Sequence, residues 1–406
     1  MCFVTVPHPL GMISKEEVNA KVDAAFDDIV KAATTWAPTK EKGEAQAKPY
    51  PAKRFKFSGT YADVNAMFQK RKWSLSLPIV PPTVEKVEAM LKGTKRAPSE
   101  VLWVVPPRQG MLTVELVAAL GVMAGAQPEH MPLLIAAVEA MADPTAAWRG
   151  PTTTTAATVP VFFISGPIIE KLKLNPGTGT SGGENPVTNA LGYFVNLVGD
   201  VVGGSVPPSF DKSTHGSSAD LVAMVFTENA KENPWKTSYA EEAGFKPSDS
   251  VVTHFSAYLG NANIDHDSKT GQRLLTTLST GLLGSASGLA SCLADYDASY
   301  AINNKVSFAF IVLCPEHAAT IAKDYPDQRA ARDFMRETAA MPYRFYSQET
   351  CVPGKDFGPY DENTFIPRFK KTESIKFFVS GGPGKQSQIW VPFPQVFKPV
   401  SKKIAE

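Results

Sequence analysis

The chain has 406 residues, with 41 basic and 40 acidic side chains and a net charge of +1, so it lacks the bulk positive charge of a nucleic-acid binder. Apolar residues make up 43 % and charged residues 20 %, the balance of a globular protein long enough for one large or two ordinary cores. The first ten residues carry no basic region and no long apolar run, and the apolar stretch from Leu116 to Ala126 is too short to span a bilayer. The expectation is a cytoplasmic protein with no membrane or nucleic-acid partner.

Phe3–Val6 reads as a strand broken by Pro7 and Pro9. Ser14 with Glu17 forms a capping box, and Val18, Val22, Phe26 and Ile29 fall on one face of the helix that follows. Residues 36–56 are rich in Pro, Lys and Ala without periodicity, which is a linker. Thr60, Thr83 and Thr113 are placed to cap helices that begin at Tyr61, Val84 and the residue after Thr113. Val101–Val105 is a short apolar run and predicts a buried strand. Pro128 opens a further helix that runs to Met141.

Val159–Ile164 predicts a second buried strand, ending at Ser165-Gly166-Pro167. A glycine-rich stretch, 175–185, leads into a helix over Val187–Val202. Val251–Phe255 and Val306–Leu313 predict strands, the latter ending at Cys314-Pro315-Glu316-His317, where Pro315 begins a helix. Ser374–Val379 predicts the last core strand, ending at Ser380-Gly381-Gly382-Pro383-Gly384. Strands alternating with helices predict an α/β fold: a layered mixed sheet with flanking helices.

Two features repeat. Pro-Glu-His occurs at 128–130 and 315–317, and Phe-Phe-(Ile/Val)-Ser-Gly occurs at 162–166 and 377–381. The shared order suggests two pseudo-duplicated α/β halves. The corresponding division is a strand–helix remnant of an N-terminal domain (1–35), a linker (36–56), a first half (57–204) and a second half (205–406). A ligand would then lie in a cleft between the halves, beyond the strand C-termini.

Candidate site residues follow from this frame. Turns just past buried strands expose backbone N–H groups that can grip an anion. That points to Ser165 and Gly166, to Thr178 in the glycine-rich loop, and above all to Ser380, Gly381 and Gly382 with Lys385 beside them. Glycine as a mere turn-former is the competing reading, and the spacing is not that of a Walker loop. His317 and His130 are the acid/base candidates among the six histidines, since both lie near predicted strand ends. Glu228 and Asn229 follow a short apolar run and could orient a polar substrate.

Asp265-His266-Asp267 is better read as a solvated loop than as metal ligands, and no metal or tightly bound cofactor is expected. Gly284-Ser285-Ala286-Ser287-Gly288 has alanine at the nucleophile position of a hydrolase elbow. The four cysteines, Cys2, Cys292, Cys314 and Cys351, share no metal or redox spacing and read as reduced structural thiols.

Phe57–Asn65 running to Trp73, Leu77-Pro-Ile-Val-Pro-Pro-Thr83, Val122–Gly125, Pro128-Glu129, Gly166-Pro167, Gly203-Gly204, Glu228-Asn229 with Pro234-Trp235, Pro315–Ala318 and Gly381-Gly382 together resemble the larger region of UGSC-type (seleno)proteins. That family is named for a selenocysteine- or cysteine-Gly-Ser-Cys motif in a separate N-terminal domain. The resemblance implies that Val4–Gly11 and its helix correspond to the end of that domain. This chain departs from the family pattern at Leu75-Ser76, where Asp-Gly is usual. It departs again at Ala126, where cysteine is common, and at Tyr193, where arginine is expected.

The leading expectation is an enzyme acting on a small anionic or carbonyl-bearing molecule, of lyase or hydrolase type. His317 would be the acid or base, Glu228 and Asn229 would orient the substrate, and the Ser380–Gly384 turn would hold an anion. The alternatives are a non-catalytic partner subunit of a thiol or selenol redox protein, and a thiol-dependent oxidoreductase using Cys292 or Cys314. The expected partners are a small-molecule substrate and either a second copy of the chain, as a homodimer, or a thiol-motif protein.

Overall fold

Apolar, β-branched and aromatic residues alternate in direction along the core strands, and this alternation builds the molecule in layers. The structure, a computed structural model, describes residues 4, 6, 13–35, 50–284, 308–345, 361–393, 396 and 398–405. The chain divides into two compact units, Met1–Lys48 and Pro49–Glu406. In the first, α1 (Lys15–Thr34) starts at the predicted box: the Glu17 carboxylate accepts from the Ser14 N–H at 2.8 Å, and the Ser14 hydroxyl accepts from the Glu17 N–H at 3.1 Å. Of its apolar face, Val22, Phe26 and Ile29 are exposed.

The second unit begins with α2 (Tyr61–Lys70) and α3 (Val84–Leu91), each capped by its predicted threonine. A hairpin of β1 (Val101–Val105) and β2 (Gly110–Thr113) follows. The predicted buried strand at 101–105 is therefore a correction: it is half of a two-stranded ribbon, and Val101 and Val104 are both 43 % exposed. Next come α4 (Val114–Met123), α5 (Met131–Ala142), β3 (Thr158–Ser165), the short α6 (Ile168–Lys171) and α7 (Pro186–Asn196). Pro128–His130 is only a 3₁₀ turn before α5, and the predicted helix 187–202 ends in a π-helical turn at Leu197–Val202.

Then follow β4 (Met224–Thr227), α8 (Tyr239–Glu242), β5 (Val251–Tyr258), β6 (Asn261–Ile264), α9 (Gly271–Gly284) and β7 (Ala309–Leu313). The chain continues through α10 (Pro315–Asp324), α11 (Gln328–Thr338), β8 (Ala340–Pro342), β9 (Phe365–Pro367), β10 (Ile375–Val379), β11 (Gln386–Trp390) and β12 (Val400–Lys403). Among the described residues no helix is long and apolar enough to cross a membrane.

Two four-stranded sheets form the centre, in the orders β12-β5-β3-β4 and β10-β7-β11-β6. Between them lies an aromatic layer of Phe163, Phe226, Phe255, Phe310, Phe378 and Trp390. The ring of Phe163 sits 4.3 Å from that of Phe378 and 4.6 Å from that of Phe310. The alternate residues face outward. Phe162, Ile164, Val225 and Val252 pack under α4, α5 and α7, while Ile311, Leu313, Phe377 and Val379 pack under α9, α10 and α11. The architecture is helix, sheet, sheet, helix, an α/β fold with a layered mixed sheet and flanking helices.

The two sheets have the same plan. In each, a first strand pairs in parallel with the next core strand across a helical connection: β3 with β4, and β7 with β10. Each first strand also pairs antiparallel with a third strand, β5 or β11. The fourth strands are exchanged: β6 leaves the first set to pair with β11, and β12 leaves the second to pair with β5.

This plan corrects the matched pair read in the sequence. Phe162–Gly166 ends a first strand, β3, and Phe377–Gly381 ends a second strand, β10. The topological counterparts are instead β3 with β7 and β4 with β10. The N–H of Glu228 donates to the Ile164 carbonyl at 2.9 Å, and the N–H of Ser380 donates to the Leu313 carbonyl at 3.0 Å. Ser165 therefore corresponds to Cys314, and Glu228 to Ser380. The boundary read at residues 204/205 falls within one layer, since β3 pairs with β4 and β5 beyond it.

Candidate functional site

The C-terminal ends of β3, β4, β7 and β10 meet along a seam between the sheets, where Glu228 and Ser380 form an isolated antiparallel bridge. Most residues expected to bind substrate are here, and their polar groups are spent on bonds within the seam. The Asn229 N–H donates to the Val379 carbonyl at 2.8 Å, and its side chain donates to the Gly381 carbonyl at 3.1 Å. The Ser380 hydroxyl donates to the Thr227 carbonyl at 2.6 Å, and the Gly381 N–H donates to Pro176 at 2.9 Å. Gly382 lies so close to the glycine-rich loop that a Cβ there would stand 2.0 Å from the Thr178 hydroxyl.

Glu228 is buried, and its carboxylate accepts from the Tyr239 N–H at 3.0 Å. Burial raises its pKa, against the opposing hydrogen bonds from the Ser165 side chain and the Tyr239 backbone. Gly166 turns the chain after β3 at φ +91°, in the left-handed region, where a Cβ would meet the Asp249 carbonyl at 2.1 Å.

In the turn expected to grip an anion, the Ser380 and Gly381 N–H groups are spent on the Leu313 and Pro176 carbonyls, and the last amides hold an anion of the protein's own. The Glu316 carboxylate, in the first turn of α10, accepts from the Gly384 N–H at 2.6 Å and the Lys385 N–H at 2.9 Å. The Gly384 N–H, foremost, holds that carboxyl below its usual range. The Lys385 ammonium donates to the His266 carbonyl at 2.9 Å. Backbone amides gathered in a turn favour a carboxylate as readily as a free ligand.

A thiol and an imidazole come together where β7 becomes α10. Cys314 is the N-cap of α10, Pro315 fills the first helical position and His317 the third. Both Cys314 and His317 are buried. The His317 Nε2 lies 3.1 Å from the Asp265 carbonyl, which can only accept, so this nitrogen carries a proton. Its Nδ1 lies 2.8 Å from the Ser387 hydroxyl of β11, and the Ser387 oxygen also accepts from the Cys314 N–H at 3.3 Å.

Burial alone would push the Cys314 thiol up. The His317 ring, the His317 backbone N–H and the Ser387 hydroxyl outweigh it, and the thiol titrates below its ordinary range. Reciprocally, burial would lower the His317 pKa, and the neighbouring Cys314 sulfur and the Asp265 carbonyl raise it instead. Both shifts favour a thiolate facing an imidazolium, with the positive end of α10 supporting the sulfur. In the sequence Cys314 reads first as a structural thiol and only in the oxidoreductase alternative as a reactive one. Its signal is local: Cys-Pro-Glu-His puts a thiol at an N-cap and an imidazole three residues on. Ser387 carries no comparable signal.

His130 is buried too, but its Nδ1 accepts from the Gln127 N–H at 3.0 Å and closes the turn before α5. Burial holds its pKa down. The Asp265 carboxylate is satisfied by Ser268 and by Thr277, whose hydroxyl donates at 2.7 Å. Cys2, Cys292, Cys351 and most of the Gly284–Gly288 segment lie outside the described residues. No family model matches this chain, and no curated protein matches it significantly.

Proposed function

We propose that this chain is an enzyme acting on a small carbonyl-bearing molecule, with the Cys314 thiolate as nucleophile and His317 as its acid/base partner. The observation that carries the reading is the Cys314–His317–Ser387 arrangement, which lowers the thiol pKa and raises that of the imidazole. A thiolate opposite an imidazolium is the activated form of a cysteine nucleophile.

The chemistry is hydrolytic. The sulfur lone pair attacks the carbonyl carbon, and the C=O π pair moves to oxygen. When the oxyanion collapses, the bond to the leaving group breaks and the leaving group takes the Nδ1 proton of His317. Water, deprotonated by the same nitrogen, then attacks the thioester, and the acid leaves with the thiolate restored. Glu228, Asn229 and Ser380 hold the two sheets in register around the site.

The resemblance to UGSC-type proteins supports a second reading, in which the same reactive thiol exchanges with a thiol-motif partner protein. A trapping experiment separates the two. The full chain is incubated with a panel of small activated esters and, in parallel, with a low-molecular-weight disulfide, and Cys314 is mapped by peptide mass spectrometry. The hydrolytic reading expects an acyl adduct on Cys314 that decays with turnover and is absent in Cys314→Ser. Disulfide exchange without any acylation supports the second reading, and an unmodified Cys314 in both arms refutes both.

A further inference from the structure

The sheet order carries one short segment across the thiol. β10, β7 and β11 are neighbours in that order, with β10 parallel to β7 and β11 antiparallel to it. Val379, at the end of β10, pairs with Leu313, at the end of β7. The β11–β7 register, continued by two residues, sets Gln386 at the start of β11 beside Cys314. Residues 380–385 must therefore cross the C-terminal end of β7, spanning two strand spacings, or about 10 Å. Cys314 sits at the end they cross. It is only 5 % exposed and His317 only 2 %, so a substrate carbonyl has no open approach to the sulfur in this conformation.

The strap is fixed at its ends and lightly held in the middle. At one end the Ser380 N–H donates to the Leu313 carbonyl at 3.0 Å and the Gly381 N–H to the Pro176 carbonyl at 2.9 Å. At the other, the Asp265 N–H donates to the Lys385 carbonyl at 3.3 Å and the Lys385 ammonium to the His266 carbonyl at 2.9 Å. Between them, among the described residues, Gly382–Gly384 makes a single hydrogen bond, from the Gly384 N–H to the Glu316 carboxylate at 2.6 Å. The same carboxylate oxygen accepts from the Lys385 N–H at 2.9 Å.

Gly381 (φ +85°) and Gly384 (φ +148°) lie in the positive-φ region with nothing within 4 Å of a Cβ, so backbone conformation rather than packing asks for glycine there. Pro383 and Gly384 are exposed. Glu316 stands two residues after Cys314, in the first turn of α10, so the carboxylate that holds the strap and the thiol beneath it share one turn.

We infer that residues 381–385 form a lid over Cys314, with the Glu316 carboxylate as its latch. The inference rests on Cys314 as the reactive group of the proposed enzyme. Closed, the lid keeps solvent and substrate from the thiolate. Release of the Gly384 and Lys385 N–H groups from Glu316 lets the strap turn about Gly381 and Gly384 and opens a path to the sulfur. Lids of this kind are hinged on a few residues that absorb the change in φ and ψ. The open fraction then multiplies the rate of every reaction at Cys314.

The test is alkylation of the full chain by iodoacetamide, with Cys314 followed by peptide mass spectrometry. Rates are compared on the pH plateau, where the thiol is fully ionised and a shift in its pKa cannot imitate opening. Deuterium exchange of the peptide spanning 381–386 is followed in parallel. Folded wild type should react at least about tenfold more slowly than the urea-unfolded chain, because only the open state reacts. Glu316→Ala should raise the folded rate about tenfold and speed exchange of the strap in step, since two hydrogen bonds to a charged acceptor are lost. Glu316→Gln keeps an uncharged acceptor, should raise both by less, and serves if the alanine variant does not fold. The lid is overturned if folded wild type reacts as fast as the unfolded chain, if alkylation and strap exchange do not move together, or if neither moves in either variant. The Cys314 reading fails separately: an ordinary pH midpoint with a plateau rate that still follows Glu316 would remove the thiolate–imidazolium pair and leave the lid standing.

Discussion

Replacing Phe163 by alanine should cost more than any other single truncation in the aromatic layer. The side chain is 1 % exposed and contacts rings of both sheets: Phe226 at 5.5 Å and Phe255 at 5.9 Å on its own sheet, Phe310 at 4.6 Å and Phe378 at 4.3 Å on the other. Truncating a fully buried phenylalanine costs about 3–5 kcal/mol through lost transfer energy and the cavity left behind. The two close cross-sheet ring pairs add about 0.5–1.5 kcal/mol each, which places Phe163→Ala at the upper end or slightly beyond it. Phe163→Leu refills most of the space and should cost about 1–2 kcal/mol, mainly the ring–ring part. The assay is urea unfolding followed by tryptophan fluorescence, comparing midpoints at unchanged slope. Phe345→Ala, at a side chain 60 % exposed, should fall within about 0.5 kcal/mol of wild type. A loss below about 1 kcal/mol for Phe163→Ala would refute the claim that this layer joins the sheets.

Three further outcomes follow from the geometry. Gly166→Ala should destabilise by about 1–3 kcal/mol, because φ is +91° and the Asp249 carbonyl blocks the Cβ. Gly125→Ala, at φ +84° in open space, should cost only about 1 kcal/mol, and thermal melts compare the two. Arg332 donates to both carboxylate oxygens of Glu242, at 3.0 and 2.6 Å, with its side chain only 10 % exposed. Glu242 also accepts from Lys376 at 2.9 Å, so Glu242→Ala should cost about 3 kcal/mol, and adding Arg332→Met should restore only part of it in a double-mutant cycle, since Lys376 still lacks its carboxylate. Glu316 has a folded-state pKa below its unfolded value, so its stabilising contribution is full above the unfolded pKa and disappears as pH falls through the folded one. Glu316→Gln should remove that acid-side slope from the stability–pH profile, and an unchanged profile would show that the Gly384–Lys385 amides are not gripping the carboxylate.

The local half of the fold was legible in the sequence. Thr60, Thr83 and Thr113 cap the helices they were expected to cap, because a threonine hydroxyl before an amphipathic run has few better uses. β3, β5, β7 and β10 stand where apolar, β-branched runs predict them. The non-local half was hidden. β12 is the polar edge segment Val400-Ser401-Lys402-Lys403, which becomes a strand only because β5 offers it a partner. The strand exchange leaves no local pattern, and so the repeated Phe-Phe-x-Ser-Gly segments paired strands that the topology does not pair. Site residues were legible as a neighbourhood, since Asn229, Thr178, Ser380 and Gly381 do meet. Their partners were not, because whether a strand-end amide faces a ligand or a neighbouring carbonyl depends on contacts far away in sequence.

The central claim is that Cys314 and His317 form a thiolate–imidazolium pair. Its most direct measurement is the pH dependence of iodoacetamide alkylation at Cys314, read by peptide mass spectrometry in the wild type and in His317→Ala. An unperturbed thiol reacts half-maximally near pH 8.5, to order of magnitude. The wild-type midpoint should lie clearly below that value, and removal of the imidazole should move it up, since the ring's hydrogen bond and charge are lost while burial, opposed now only by the residue-317 N–H and the Ser387 hydroxyl, remains. A wild-type midpoint at or above the ordinary value, or one that His317→Ala does not move, would contradict the account.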